Sequence, residues 1–387
     1  MRTLHRAPGR LAVVSAVIVV AALLPAGPAA AAATWQVIPS PSPSTIASAL
    51  NDVTVISSTN AWAVGYAYDT NLAAYRTLTL RFDGSRWTRV SSLNADTGYN
   101  QLDRVDAVAA NDVWALGTSP SGTLVHRWNG TRWNAMPKPS VGGLRGLDAV
   151  SASDVWAVGG TTVNGLFSPV VTRWNGSSWR TIPTIPGATR HLSTFEAVAA
   201  RTPTDVWAVG WDRDYSISSK PVSSVVARWD GTRWTRLPSP NPNSRNFLYD
   251  VLPIAADNVW AVGITQVIGP GITSKSLVMH WDGRSWSVVP APAAEPGADG
   301  QLHSIAAVSA NSLWAVGYYL SPTSQIHEPL LMHWDGSRLT VNPGPETGTP
   351  STAWGVSALA NGTVWAVGYN SVPGSASTTL ALRTTQG

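Results

Sequence analysis

A five-residue string, VWAVG or a close variant, recurs seven times along the chain, with its tryptophan at Trp62, Trp114, Trp156, Trp207, Trp260, Trp314 and Trp365. A second string follows each copy: RFDGSRW ending at Trp87, RWNGTRW at Trp133, RWNGSSW at Trp179, RWDGTRW at Trp234, HWDGRSW at Trp286 and HWDGSRL at Leu339. The seventh copy stops in the stretch Leu380 to Arg383. Self-similarity at a period of about 50 residues excludes an ordinary single-core fold and requires units that bury their apolar faces against one another.

Each repeat reads as four strands. Leu147 to Ala152 alternates as a first strand, Val155 to Gly159 is β-branched and aromatic, Val170 to Trp174 forms a third strand, and the last runs through Trp179 toward a proline. Asn-Gly or Asp-Gly between the third and fourth strands supplies a tight hairpin. No helical periodicity interrupts this pattern, so the expected class is all-β, a single β-propeller with four antiparallel strands per blade. Thr34 to Pro41 resembles the fourth strand of the other repeats, and the seventh repeat lacks that strand. The N-terminal strand is therefore expected to close the last blade, giving seven blades over residues 34–387 and no unpaired edge.

Residues 1–33 have a basic start (Arg2, Arg6, Arg10), an apolar run from Leu11 to Leu24 and small residues from Ala29 to Ala33. That is the pattern of a secretory signal peptide, which predicts a secreted, extracellular protein with no membrane anchor after cleavage. Without cysteine, disulfides, thiolate metal sites and a cysteine nucleophile are excluded. The arginines of the leader account for most of the excess positive charge. The remaining chain is nearly neutral and has no basic cluster, which argues against nucleic acid as a partner. No cofactor and no metal is expected, and a monomer is.

Val155-Trp156-Ala157-Val158-Gly159-Gly160, together with Trp174-Asn175-Gly176 to Trp179 and Pro183, resembles the paired strands of kelch repeats. The other copies replace the second glycine with an aromatic or polar residue, as a divergent bacterial branch would. The resemblance implies a propeller of the galactose-oxidase and kelch type, a group that includes binding proteins and enzymes. The copper radical site of galactose oxidase needs a tyrosine-cysteine crosslink, which a chain without cysteine cannot make.

Eighteen of the 20 tryptophans fall in repeated slots, which marks them as packing between blades; Trp211 and Trp354 do not. A basic residue recurs at Arg81, Arg127, Arg173, Arg228, His280, His333 and Arg383, and is expected to stack on tryptophan or to pair with turn acids such as Asp112, Asp154 and Asp205. Individuality is left to the connections of one face. There, Trp211-Asp212-Arg213-Asp214-Tyr215 offers an aromatic platform with bidentate polar groups, and Arg190-His191 and His327-Glu328 are similar unrepeated pairs. Alignment of the innermost strands puts Asn51, Asp106, Asp148, Glu196 and Asp250 in one slot, followed by Ala306 and Gly355. If that slot faces the channel mouth, converging carboxylates raise one another's pKa. No catalytic motif is present. The expected function is non-catalytic binding of a polysaccharide or an extracellular protein; the alternative is a glycan hydrolase or lyase using the channel carboxylates as acid and base.

Overall fold

The computed structural model describes residues 33–163, 166–185, 191–217, 219–269, 271–345, 347–371, 374 and 376–385. The expected leader and Arg190 lie outside the described residues, apart from Ala33. Among the described residues every regular element is a β-strand, and no helix is long and apolar enough to cross a membrane.

The strands pair as antiparallel sets of four in chain order, as in Leu144–Ser151, Asp154–Val163, Leu166–Trp174 and Trp179–Ile182. Single parallel pairs, Phe167 with Leu192 and Val222 with Arg245, join three neighbouring sets into one larger sheet. The same junction recurs between Ala47 and Ser377, near the two ends of the chain. Thr34–Val37 pairs antiparallel with Ser377–Thr385, in register from Thr34 opposite Thr385 to Val37 opposite Leu382.

The turns between third and fourth strands show what the Asp-Gly and Asn-Gly signals do. Phe82 pairs with Trp87, so four residues make the connection. Gly84 alone takes a positive φ, of 99°, and Asp83 closes the loop by accepting the N–H groups of Ser85 and Arg86, both at 2.9 Å. The loop is thus two residues longer than a minimal hairpin, with the carboxylate replacing a second left-handed residue.

The core is a chain of tryptophans that crosses each boundary between units. Trp62 meets Trp133 at 5.1 Å and 83°, Trp156 meets Trp234 at 5.9 Å and 83°, and Trp207 meets Trp286 at 5.7 Å and 79°. Trp314 meets Trp35 edge to face at 5.1 Å, and Trp365 meets Trp87 at 5.0 Å. Over each second-strand tryptophan lies the basic residue of the third strand. Arg173 stands 4.5 Å from the Trp156 ring and forks onto Asp154 at 2.6 and 2.7 Å. Arg127 does the same with Trp114 and Asp112. His280 and His333 cover Trp260 and Trp314, each at 4.6 Å, and hydrogen-bond Asn258 and Ser312. A planar cation or ring thus covers the buried indole and ties down the start of the second strand.

Candidate functional site at the channel mouth

The first strands of the units are Ser48–Ser57, Gln101–Ala109, Leu144–Ser151, His191–Thr202, Arg245–Ala255, Asp299–Ser309 and Ser351–Ala358. All of them contribute to the lining of one cavity of about 330 Å³. Each is the edge of its own set, so one row of backbone N–H groups has no ladder partner. Side chains of the preceding unit satisfy that row. Asp52 accepts Val105 N–H at 2.9 Å, Asp106 accepts Ala149 N–H at 2.7 Å, and Asp250 accepts Ile305 N–H at 2.9 Å. Asp148 accepts from Ala200 in the same way. Ser304 and Ser357 continue the series, accepting from Val356 N–H at 3.3 Å and Val55 N–H at 3.1 Å.

This corrects the expectation of one carboxylate slot. Every first strand carries a bulge early in its length, placing an unpaired residue between Leu50 and Asp52, Leu102 and Arg104, Leu144 and Gly146, Phe195 and Ala197, Leu248 and Asp250, Leu302 and Ser304, and Ala353 and Gly355. Asn51 and Glu196 are bulged residues, Asp250 is the residue after a bulge, and Asp106 and Asp148 lie two residues further down the channel. The five candidates belong to three levels: Asn51 and Glu196 stand 11 residues before the second-strand tryptophan of their unit, Asp250 stands 10 before it, and Asp106 and Asp148 stand eight before it. Asp52, absent from the sequence-based set, is at the same level as Asp250.

Below the bulge the carboxylates are architectural and poorly solvated. Burial pushes Asp52 up to about 7 against the opposing effect of Arg104, and it raises Asp106, Asp148 and Asp250. The charge of Asp106 raises Asp148 further.

The bulge level is different. Its residues are Asn51, Asp103, Arg145, Glu196, Tyr249, His303 and Trp354, so every unit contributes a different side chain. Tyr249 and His303 stack at 5.0 Å and 8°, His303 meets Trp354 at 4.1 Å, and Phe247 stacks on Tyr249 at 6.4 Å and 19°. Residues following the VWAVG glycine extend this wall: Tyr318 lies 5.5 Å from His303, and Trp211 lies 5.6 Å from Phe247. Trp211 also donates from Nε1 to Glu196 Oε1 at 2.8 Å, and Arg145 Nη1 lies 3.6 Å from Glu196 Oε2. Asp103 accepts from Gln101 and Thr118 at 2.9 and 3.1 Å. One arc of the mouth is therefore aromatic, from Trp211 through Tyr249 and His303 to Trp354. The other is polar, from Glu196 through Arg145 to Asp103. Beside the polar arc is a cavity of about 380 Å³ lined by Asp103, Arg104, Arg145 and Glu196.

The other loop candidates divide between this mouth and the outer rim. Trp211 to Asp214 are not a loop but the end of strand Asp205–Asp214, and strand alternation sends successive side chains to opposite faces. Trp211 turns to the mouth. Asp212 turns away, where His191 Nδ1 lies 3.0 Å from it and Nε2 lies 3.4 Å from Asp214, with Arg236 also on Asp212 at 3.3 Å. Arg213 and Tyr215 pair with each other at 3.4 Å. The five residues do not form one ligand platform, because alternation splits them. His327 packs on Tyr318 at 4.9 Å, whereas Glu328 faces the other way and accepts from Tyr319 at 2.7 Å. Among the described residues no group of three or more potential ligands is placed to hold a metal ion.

Asp103, Arg145, Tyr249 and His303 are absent from the sequence-based candidates, and Trp354 was marked only as a tryptophan outside the repeats, although a signal for all five exists. A Cβ on the VWAVG glycine would run into the backbone carbonyl opposite, as Gly317 would into Gln301 and Gly65 into Ala49. A glycine recurring inside strands marks a close backbone approach or a bulge, and here the bulged residue follows its cross-strand partner.

No family profile and no curated protein matches the sequence. Solved structures do resemble the chain. YCF48 bound to D1 peptide aligns with a TM-score of 0.56 at 14% identity, over 91% of this chain and 97% of that one. U3-55K aligns at 0.57 and 10% identity, over 93% of this chain and all of that one. The extracellular domain of the putative one-component system BT4673 from B. thetaiotaomicron aligns at 0.52 and 12%, over 91% of this chain and 40% of that one. These are β-propeller proteins, and the likeness shows that this chain has a β-propeller fold.

Proposed function

We propose that the chain is a secreted, non-catalytic binding protein whose ligand seats at the bulge-lined mouth of a kelch-type propeller of seven blades, closed by Thr34–Val37. The arrangement of the mouth carries this reading: an aromatic arc faces a polar arc, at positions where each unit supplies a different residue while its surroundings repeat. Binding sites combine apolar surface with a few convergent polar groups in this way. The glycan-active enzyme reading is weakened because both oxygens of Asp106 and of Asp250 accept backbone N–H groups and Asp148 accepts from Ala200, which ties these carboxylates to the scaffold. The apolar run and small-residue stretch of residues 1–33 support export.

A glycan array and peptide library probed with the secreted protein test the site. Trp354→Ala and Tyr249→Ala are expected to abolish the wild-type binding pattern, and the rim double variant Asp212→Ala, Asp214→Ala to leave it intact. The opposite result would move the ligand to the outer rim.

A further inference from the structure

The hydrogen-bond inventory of the mouth is lopsided. Both oxygens of Asp52, Asp103 and Asp250 already accept hydrogen bonds, and Glu196 is held by Trp211 and Arg145. Each of these carboxylates thus already has partners. Arg104, at the meeting point of the two cavities, is not similarly occupied. Among the described residues its one hydrogen bond runs from Nη1 to the backbone oxygen of Asp103 at 3.0 Å, and no carboxylate oxygen lies within 4 Å. A guanidinium has five N–H donors, so most of its fork is open to the channel. His303 Nε2 is likewise buried without a partner on the aromatic side. Burial, and then Arg104, push this imidazole down to about 3, so it is neutral and offers one donor or acceptor rather than a competing charge.

A half-buried, open arginine fork fits a planar two-oxygen group. The channel gives little to a backbone ligand, because side chains of neighbouring units already cap first-strand N–H groups such as those of Val105, Ala149 and Ile305. Strand addition, the usual way to hold an extended peptide, has few free donors to use. The aromatic arc instead offers apolar ring surface to a sugar.

We propose that Arg104 is a specificity residue for an acidic glycan: it takes the carboxylate of a hexuronate residue in a bidentate contact, while the sugar ring lies against Trp354 and His303. This rests on the mouth being the binding site. Burial raises Asp52, Asp103, Glu196 and Asp250 while Arg104 opposes the rise in each, so these acids repel an incoming anion less than well-solvated carboxylates would.

The test is calorimetric titration of the purified full-length chain with a linear hexuronate oligosaccharide, its carboxyl-reduced neutral counterpart and a short peptide with a free C-terminal carboxylate. The uronate is expected to bind, the reduced form to bind roughly tenfold or more weakly, and Arg104→Gln to erase that difference while Arg104→Lys restores part of it. Thermal midpoints check the fold of each variant. If Arg104→Gln does not fold, the comparison of uronate with its reduced form on wild-type protein decides the matter. Equal binding of the two glycans, weakened by Trp354→Ala, overturns the role of Arg104 and leaves the mouth as the site. Arg104-dependent binding of the peptide without the uronate overturns the glycan class. Binding indifferent to both Arg104→Gln and Trp354→Ala overturns the inference and the mouth together.

Discussion

The backbone N–H of Val55 donates to the hydroxyl of Ser357 at 3.1 Å, across 302 positions of sequence. Together with Trp35 against Trp314 and Thr34–Val37 along Ser377–Thr385, this ties the beginning of the chain to its end. Trp35→Ala removes a buried ring at that seam. It is expected to destabilise the fold by about 3–5 kcal/mol, and to promote self-association by loosening the cover over the Ser377–Thr385 edge. Urea unfolding gives the first quantity and light scattering the second; a change within about 0.5 kcal/mol would mean that the N-terminal strand is dispensable.

The clamp of Arg173 on Asp154 and Trp156 combines a fork at 2.6 and 2.7 Å with a cation over an indole. Arg173→Ala leaves Asp154 nearly buried and without its guanidinium partner, for an expected loss of about 2–3 kcal/mol. Arg173→Lys should recover less than half, because an ammonium cannot reproduce the planar fork. Denaturant midpoints at unchanged m-value measure both.

Gly317→Ala adds a Cβ directly against the backbone carbonyl of Gln301. Because the obstacle is backbone, the strand pair must separate. The loss is expected to exceed about 3 kcal/mol, far beyond an exposed Gly→Ala change, and a thermal scan of this one variant is sufficient.

The channel acids give the stability an unusual pH profile. In the folded protein Asp52 titrates near 7, about three units above its value in an unfolded chain. Between roughly pH 4 and 7 the unfolded chain releases this proton while the folded one keeps it. Stability from this group is therefore highest on the acid side and falls as pH rises through that window. Allowing for water in the channel, the loss is on the order of 2–4 kcal/mol. The raised Asp106, Asp148 and Asp250 act in the same direction. The turn acids Asp83, Asp230 and Asp335, lowered mainly by hydrogen bonds from Ser85, Thr232 and Ser337, act oppositely, and their stabilisation is lost below about pH 4. Melting should thus occur at higher temperature at pH 5 than at pH 8. Asp52→Asn should flatten the slope, and an unchanged slope in that variant would remove Asp52 as its source.

The repeated scaffold was legible in the sequence because its causes are local and recur: the second-strand tryptophans, the basic residue that covers each, and the glycine of each Asp-Gly turn. The mouth was not. Asn51 stands 11 residues before the second-strand tryptophan of its unit, Asp250 10 and Asp106 eight, and because a bulge resets the alternation inside each first strand, a shared polar character does not say which of these offsets faces the mouth. Trp211 was singled out because it does not repeat, and it does face the mouth. Its neighbours Asp212 and Asp214 do not, because the strand extends further than the sequence indicated. Trp354 carried the same signal of a tryptophan outside the repeat.

The bulge has a consequence for how such a protein can change. A bulged residue has no cross-strand partner to satisfy, and the glycine opposite and the capped N–H groups below hold the strand whatever side chain it bears. Asparagine, aspartate, arginine, glutamate, tyrosine, histidine and tryptophan all occupy this position within one molecule. On the proposed reading of the mouth, ligand preference can therefore drift one unit at a time, each substitution altering a small sector of the rim while the fold beneath it stays the same.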